Sequence, residues 1–286
     1  MLAPSTLFAG NRKDREDRLV ILHTNDWHSR IEPFPENAGK YAGLGGAANR
    51  AALIQEFRNR YPHVLLLDSG DVFQGTPYFN YFHGAIEFQL MSQMGYDVIT
   101  LGNHDFDAGL EGLVKQLDHA QFDIVNANYQ FENSVLKHRV KPYQIIQKGK
   151  FKIGVFGVGI ELKNLVPEHL YKGTQYVDPV EVANEISTEL KHQKCNLIIC
   201  LSHLGYAYSS GKVSDEDLAK KCSNIDLILG GHTHTFLDKP TQYVNKQGDK
   251  VLVNQVGWAG INLGRIDYSI NMLEQVKSTS ASMIKI

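Results

Sequence analysis

The chain reads as an α/β protein built on two sheets, and three observations in its 286 residues carry that reading. Short apolar runs of the buried-strand kind alternate with segments whose apolar residues fall at helical spacing. The alternation breaks near the C-terminus, where Val251–Val256 and Leu263–Ile270 read as paired strands with no helix between them. Such a change favours two sheets over one doubly wound sheet. Finally, five of the strand-like runs end in side chains that can ligate metals, at the strand ends where open α/β sheets gather functional groups.

The elements follow in order. Leu19–Thr24 is strand-like. After the link Gly43-Leu44-Gly45-Gly46, Ala47, Ala48, Ala51 and Ile54 fall at helical spacing, and Tyr61-Pro62 stops the helix. Val64–Leu67 is a short buried-strand run. Ile86, Leu90 and Met94 form a helical stripe ended by Gly95. Val98–Leu101 is the next strand, Leu110, Leu113 and Leu117 mark a helix, and Ile124–Ala127 follows. Lys152–Val158 is a strand. The helix after it opens with Asp178 as N-cap, Pro179 in the first turn and Glu181 three residues past the cap. Its buried face is Val182, Ala183, Ile186 and Leu190. Asn196–Leu201, a helix near Ser214–Cys222, and Asp226–Leu229 continue the alternation.

Composition excludes several classes. Net charge is −2, with no basic stripe for a nucleic-acid polymer and no charge block marking a disordered tail. No apolar run approaches the roughly 18–20 residues of a membrane span. Cys195, Cys200 and Cys222 make no disulfide framework and read as inert buried thiols. Leu2–Gly10 is small and apolar and Asn11–Arg18 abruptly charged, like the end of a trimmed export signal. Residues 1–18 are therefore expected to be a leader, and the protein to be exported, into a periplasm if bacterial.

The strand ends carry the chemistry. Asp26 and His28 lie two residues apart past the first strand; if that stretch stays extended, both side chains point to one side. Asp71 follows a turn-like Asp68-Ser69-Gly70, and its two carboxylate oxygens suit it to bridge two cations. Asn103 offers an amide oxygen, and His104 with Asp107 forms an imidazole with an orienting carboxylate. His203 ends one strand; His232 and His234 follow Gly230-Gly231 after another. Each piece alone is weak, since a lone Asp-x-His is usually a surface turn and a lone histidine a satisfied core imidazole. Together they offer Asp, His and Asn ligands without cysteine, a set suited to Zn, Mn, Fe or Co. Among the rest, Gly43–Gly46 reads as a tight turn and Arg50 as a solvated surface residue. Tyr78, Phe79, Tyr81 and Phe82, like Trp258, fit a substrate pocket or core packing equally well. Gly154-x-x-Gly157-x-Gly159 has the wrong order for a dinucleotide motif.

The motifs HTNDWH (23–28), LDSGDVFQGTP (67–77), LGNHDFDAG (101–109), SHLG (202–205) and GGHTH (230–234) resemble, in order, those of the calcineurin-like metallophosphoesterases, nearest to the 5'-nucleotidase family. The resemblance covers about residues 19–270. It implies a four-layer α/β/β/α sandwich spanning residues 19–286 and two divalent metal ions. Asp26, His28, Asp71 and His234 would hold one; Asp71, Asn103, His203 and His232 would hold the other. His104 and Asp107 match the catalytic dyad, with Asn103 able to touch phosphate. Larger members carry a separate C-terminal domain whose aromatic residues clamp the nucleoside base. The sequence stops at Ile286 after the catalytic domain, which leaves nucleoside preference open. GGHTH ends in His234 where some members have Gln.

The expected reaction is hydrolysis of a small phosphomonoester, a nucleotide in the first instance, by a hydroxide bridging two metals. The alternatives are a phosphodiesterase acting on cyclic nucleotides, a nucleotide-sugar hydrolase, a relative acting on sulfur-linked groups, or a non-catalytic module binding metal and phosphate. Magnitudes favour metals over a bare dyad: phosphomonoester hydrolysis needs acceleration of up to ~10²¹-fold, and one general acid or base supplies about 10²–10⁴-fold. His104→Ala is thus expected to keep its metals, measured by elemental analysis, while losing kcat by about 10²-fold or more. Wild-type turnover in that variant would exclude the dyad role.

Overall fold

The computed structural model describes residues 18–271 and 275–286; the leader expected from the sequence lies, but for Arg18, outside the described residues. The elements are β1 (Arg18–Thr24), α1 (Ala47–Arg60), β2 (Val64–Asp68), α2 (Pro77–Phe82), α3 (Ala85–Met94), β3 (Val98–Ile99), α4 (Gly109–Leu117), β4 (Asp123–Ile124), β5 (Tyr129–Gln130), β6 (Tyr143–Lys148), β7 (Phe151–Gly159), β8 (Gln175–Tyr176), α5 (Pro179–His192), β9 (Leu197–His203), α6 (Asp215–Lys221), β10 (Leu227–Gly230), β11 (Thr241–Val244), β12 (Lys250–Asn254), β13 (Asn262–Ile270) and β14 (Val276–Lys285).

Two six-stranded sheets face each other. One has the order β14-β13-β1-β2-β3-β4 and the other β11-β12-β10-β9-β7-β6. In the first, β1 to β4 run parallel and β13 and β14 are antiparallel. In the second, β7, β9, β10 and β12 run parallel, flanked by antiparallel β6 and β11. The central strands are buried on both faces, which is why they read as continuous apolar runs. In β1, Leu19 and Ile21 enter the layer between the sheets, with Leu65, Val155, Ile199 and Leu229; Val20 and Leu22 face α1, α3 and α4. The outer face of the second sheet packs on α5 and α6 through Ile198, Cys200, Leu190 and Leu218. This is the four-layer α/β/β/α sandwich.

Several local signals act as expected. Asp178 caps α5 by accepting from the Val180 and Glu181 backbone, and Ser214 caps α6 in a reciprocal capping box with Asp217. Gly95 ends α3 at φ 74°. All three cysteines are free and buried.

Other expectations fail. The two C-terminal runs do not pair with each other: β12 joins β10 in the second sheet, while β13 crosses to pair with β1 in the first. The break in alternation marked the chain's return between sheets, and a local pattern cannot show which partner a strand takes. On α3 the buried face is Glu87, Phe88, Met91 and Met94, with Ile86 and Leu90 only partly covered. On α1, Ala48 is exposed and Arg50 is buried, its guanidinium 3.9 Å over the Trp27 ring. A flat cation over an aromatic face is attracted by the ring quadrupole, which sequence spacing does not reveal.

His23 closes the inter-sheet layer. It is fully buried, and Asn254 Nδ2 at the end of β12 donates to its Nε2 at 2.9 Å. Nδ1 then carries the ring hydrogen and has no partner. Burial pushes the His23 pKa down from 6.5 to about 3. The unfolded chain therefore binds a proton below pH 6.5 that the folded one refuses, so this contribution is complete above 6.5 and is lost as pH falls toward 3. Between pH 7.5 and 5.5 stability should drop by about 1.4 kcal/mol through His23. Urea titrations of wild type and His23→Gln at both pH values test this; an equal drop in the two would assign the effect to other groups.

Candidate metal centre

The segments after β1, β2, β3, β9, β10 and β12 meet at one edge, and those after β1 and β2 are locked to one another. Asp26 N donates to Gly70 O at 2.9 Å, His28 N to Asp71 O at 3.0 Å and Ser29 N to Val72 O at 2.9 Å, so the segments after β1 and β2 run as a pair. Asp26 and His28 are not extended, contrary to expectation. They sit at φ 51° and 52°, and Asp71, His232 and His234 lie in the same left-handed region at 56°, 71° and 50°. That region costs a non-glycine residue roughly 1–2 kcal/mol. Five strained residues in one cluster persist only because the surrounding hydrogen bonds leave no alternative.

Asp105 is the main source of that constraint. Its carboxylate accepts backbone hydrogens from Asp71, Val72, Phe73 and Gly102, at 2.8 to 3.2 Å. Gly102 is required beside it, because a Cβ there would stand 2.2 Å from Asp71 Oδ1. His104 N donates to the same Oδ1 at 2.8 Å. The other oxygen, Asp71 Oδ2, lies 3.0 Å from His203 Nε2 and 4.0 Å from His28 Nε2. The sequence suggested that two oxygens would be divided between two cations; instead one oxygen faces both groups of donors.

The donors fall into two groups: Asp26, His28 and His234, and Asp71, His203 and His232, each with ligand atoms within 4.8 Å of one another. In the first, Asp26 Oδ1 is 3.2 Å from His234 Nε2 and 3.9 Å from His28 Nε2, and the two imidazole Nε2 atoms approach to 3.0 Å. In the second, His232 Nδ1 is 2.9 Å from Asn103 Oδ1. His104 Nδ1 meets Asp107 Oδ2 at 2.7 Å. All the singled-out residues thus meet at one edge. His28, Asp71, Asn103, His104, His232, His234 and Trp258 border an open cleft of about 330 Å³.

The donor chemistry fits cations. His28 Nδ1 faces the Gln74 carbonyl at 3.1 Å and His203 Nδ1 the Ser69 carbonyl at 2.7 Å, so both carry their hydrogen there and turn Nε2 into the cluster. His203 Nε2 is buried without a hydrogen bond, 3.0 Å from Asp71 Oδ2. Burial lowers the His28 pKa, and burial with the neighbouring His203 brings His232 down to about 4, leaving neutral imidazoles with free lone pairs. Burial also acts to lower His203, but the Asp71 carboxylate outweighs it and raises the pKa. Burial raises Asp105 to about 7, with the Asp71 charge adding to it. The Asp107 hydrogen bond raises His104, against burial.

Sequence reasoning missed the supports. Asp105 stood between two more conspicuous residues. Asn25 Nδ2 donates to Asp26 Oδ2 and Gly257 O, both at 2.6 Å. Gln255 holds the His232–His234 loop by donating to Gly231 O at 2.7 Å and accepting from Thr233 Oγ1 at 3.1 Å and from Thr235 N. The aromatic run after Asp71 borders none of the cleft: Phe79 is buried, Tyr81 and Phe82 are exposed, and Tyr78 bonds Glu32. Of the aromatic residues singled out, Trp258 is the one that borders the cleft.

Residues 19–236 match the family model for calcineurin-like phosphoesterases. The chain belongs to that family. It is 39% identical over 230 residues to snake venom 5'-nucleotidase of Gloydius brevicauda, a match covering 77% of this chain and 37% of the venom protein. It superposes on the 5'-nucleotidase precursor of Thermus thermophilus with a TM-score of 0.84 and 31% identity, over 94% of this chain and 54% of that one. On the calcineurin-like phosphoesterase YfkN of Bacillus subtilis the TM-score is 0.71 at 28% identity, over 94% and 90% of the two chains. The chain thus spans well under two thirds of the two named nucleotidases. Family membership implies divalent metals, and the two donor groups are where this chain offers to bind them.

Asp105→Ala should leave four backbone donors in the cluster without their acceptor. The expected cost is about 3 kcal/mol or more. Urea unfolding measures it; a loss below about 1 kcal/mol would mean that the loops hold themselves.

Proposed function

We propose that this chain is a dimetal-dependent phosphoester hydrolase of the 5'-nucleotidase kind, releasing phosphate from small phosphomonoesters, nucleotides first among them. One observation carries the reading: two donor groups meet at Asp71 Oδ2 in a cleft also bordered by His104, whose ring Asp107 holds. Asp26, His28, Asp71 and His234 would hold one cation and Asp71, Asn103, His203 and His232 the other. Nitrogen and oxygen donors without thiolate suit Zn, Mn, Fe or Co. Bound there, a pair of dications supplies charge stabilisation to phosphoryl oxygens and acidifies water.

The chain's own residues do the rest. The loops that pair after β1 and β2 fix the donors before substrate arrives, so little reorganisation accompanies reaction. His104 is oriented by Asp107 through Nδ1, which leaves Nε2 as the nitrogen that serves the substrate. The Asp107 contact favours the protonated ring, so His104 can neutralise charge growing on the phosphoryl group or give a proton to the leaving oxygen. The cleft is open and bordered by Gln74, Gly75 and Trp258, room enough for a phosphate with a sizeable leaving group. Residues 19–286 form the catalytic unit in this proposal. Export is part of it too, resting on the composition of Leu2–Gly10 and Asn11–Arg18. No helix among the described residues is long and apolar enough to cross a membrane.

The test is a substrate panel of 5'-AMP, UDP-glucose, 2',3'-cyclic AMP and p-nitrophenyl phosphate, run on chelated and metal-restored protein. Chelation should abolish turnover, and restoration should return it, with 5'-AMP the best substrate. Activity untouched by chelation would sink the two-cation reading. Turnover confined to the cyclic nucleotide or to UDP-glucose would move the activity to diesters or nucleotide sugars. Two bound cations with no turnover of any substrate would make the chain a binding module.

A further inference from the structure

The histidines of the two donor groups are not oriented alike. His28 and His203 each place the ring nitrogen remote from the cluster against a backbone carbonyl, those of Gln74 and Ser69, while His232 turns Nδ1 toward Asn103 Oδ1, itself one of the donors. His234 uses Nε2 toward His28 and Asp26, and its Nδ1 makes no hydrogen bond to a described residue. Its side chain is also 38% exposed, against 9% for His28 and 0% for His203. Its backbone is left-handed, so no regular element sets the direction of its ring. Ligand imidazoles are ordinarily oriented by a hydrogen bond on the remote nitrogen, and His234 lacks one among the described residues.

What His234 has instead is Trp258. The rings are parallel within 3°, with centroids 5.5 Å apart, an offset stack. Phe34 and Tyr41 meet the indole edge-on, at 5.9 Å and 72° and at 6.4 Å and 88°. The Trp258 loop is itself tied to the ligand loop: Ala259 N donates to Asp26 O at 2.7 Å, and Asn25 Nδ2 to Gly257 O at 2.6 Å. The indole is therefore fixed relative to Asp26, and His234 is fixed relative to the indole. An imidazole bound to a dication is electron-poor, and the indole face is electron-rich, so the stack favours the ligated ring over the free one.

We propose that Trp258 is a positioning residue for the Asp26–His28–His234 cation site, orienting His234 by stacking where a hydrogen bond to a backbone carbonyl orients His28 and His203. The proposal rests on the two-cation reading above. It is tested on the 286-residue chain as wild type, Trp258→Phe, Trp258→Leu, His234→Gln and the Trp258→Leu/His234→Gln double variant. Zn²⁺ affinity at both sites is measured by calorimetry against a competing chelator, and Co²⁺ d–d absorption is recorded. Trp258→Leu should weaken one site by about 10-fold or more and alter the Co²⁺ spectrum of that site only. Trp258→Phe, which keeps an aromatic face, should stay within about threefold of wild type. In the His234→Gln background, Trp258→Leu should add nothing, because the pair is already broken.

Three results would overturn the proposal: Trp258→Leu binding both cations as wild type does, weakening both sites alike, or changing only KM. If Trp258→Leu does not fold, wild-type protein decides. The ring protons of His234, assigned against His234→Gln by NMR, should be shifted upfield of the other ligand histidines by the indole, and unshifted resonances would also overturn it. Wild-type protein that takes up fewer than two cations would instead remove the reading on which the proposal rests.

Discussion

The Asp71 carboxylate is the group around which this edge of the molecule is arranged. It is buried, and a buried carboxylate is costly unless paired and hydrogen-bonded. Its two oxygens are divided between tasks: Oδ1 is held by the His104 backbone, which leaves Oδ2 to face His203 and His28. Its own backbone N–H is held by Asp105. The close approach of Gly102 follows from the same need, since any side chain there would displace the carboxylate. Loops after three different strands, β1, β2 and β3, thus converge on one functional group.

That convergence explains the left-handed backbone at five of the singled-out residues. Side chains from separate loops must point inward to one small volume, and ordinary extended or helical geometry does not allow it. The conformational cost is met by a dense hydrogen-bond scaffold: Asp105 under the β2 loop, Asn25 under Asp26, and Gln255 under the loop of His232 and His234. The scaffold stands on strands that are buried on both faces between packed helices, so it has little freedom to relax. Rigid elements bearing strained loops are what a preorganised site requires.

Much of this was legible beforehand, and the failures have physical causes. Apolar runs located the central strands because both their faces are buried. The N-cap of α5 was visible because Asp178-Pro179 satisfies the helix start locally. The partner of β13 was not visible, because strand pairing is decided by contacts far away in the chain. Nor was the burial of Arg50, since the ring that covers it belongs to another loop. Asp105 was passed over because a carboxylate that binds backbone hydrogens leaves no spacing pattern behind.

By itself the sequence determined the α/β class and the strand ends at which Asp, His and Asn are delivered. It did so because burial imposes local periodicity, and because ligands must sit where strands stop. Only the tertiary structure decided how those residues are shared: that one oxygen of Asp71 faces both groups, that Asp26 and His28 reach inward through left-handed backbone, and that Trp258 lies flat on His234. These are relations between loops remote in sequence, and they are set by hydrogen bonds and packing that exist only once both sheets have come together.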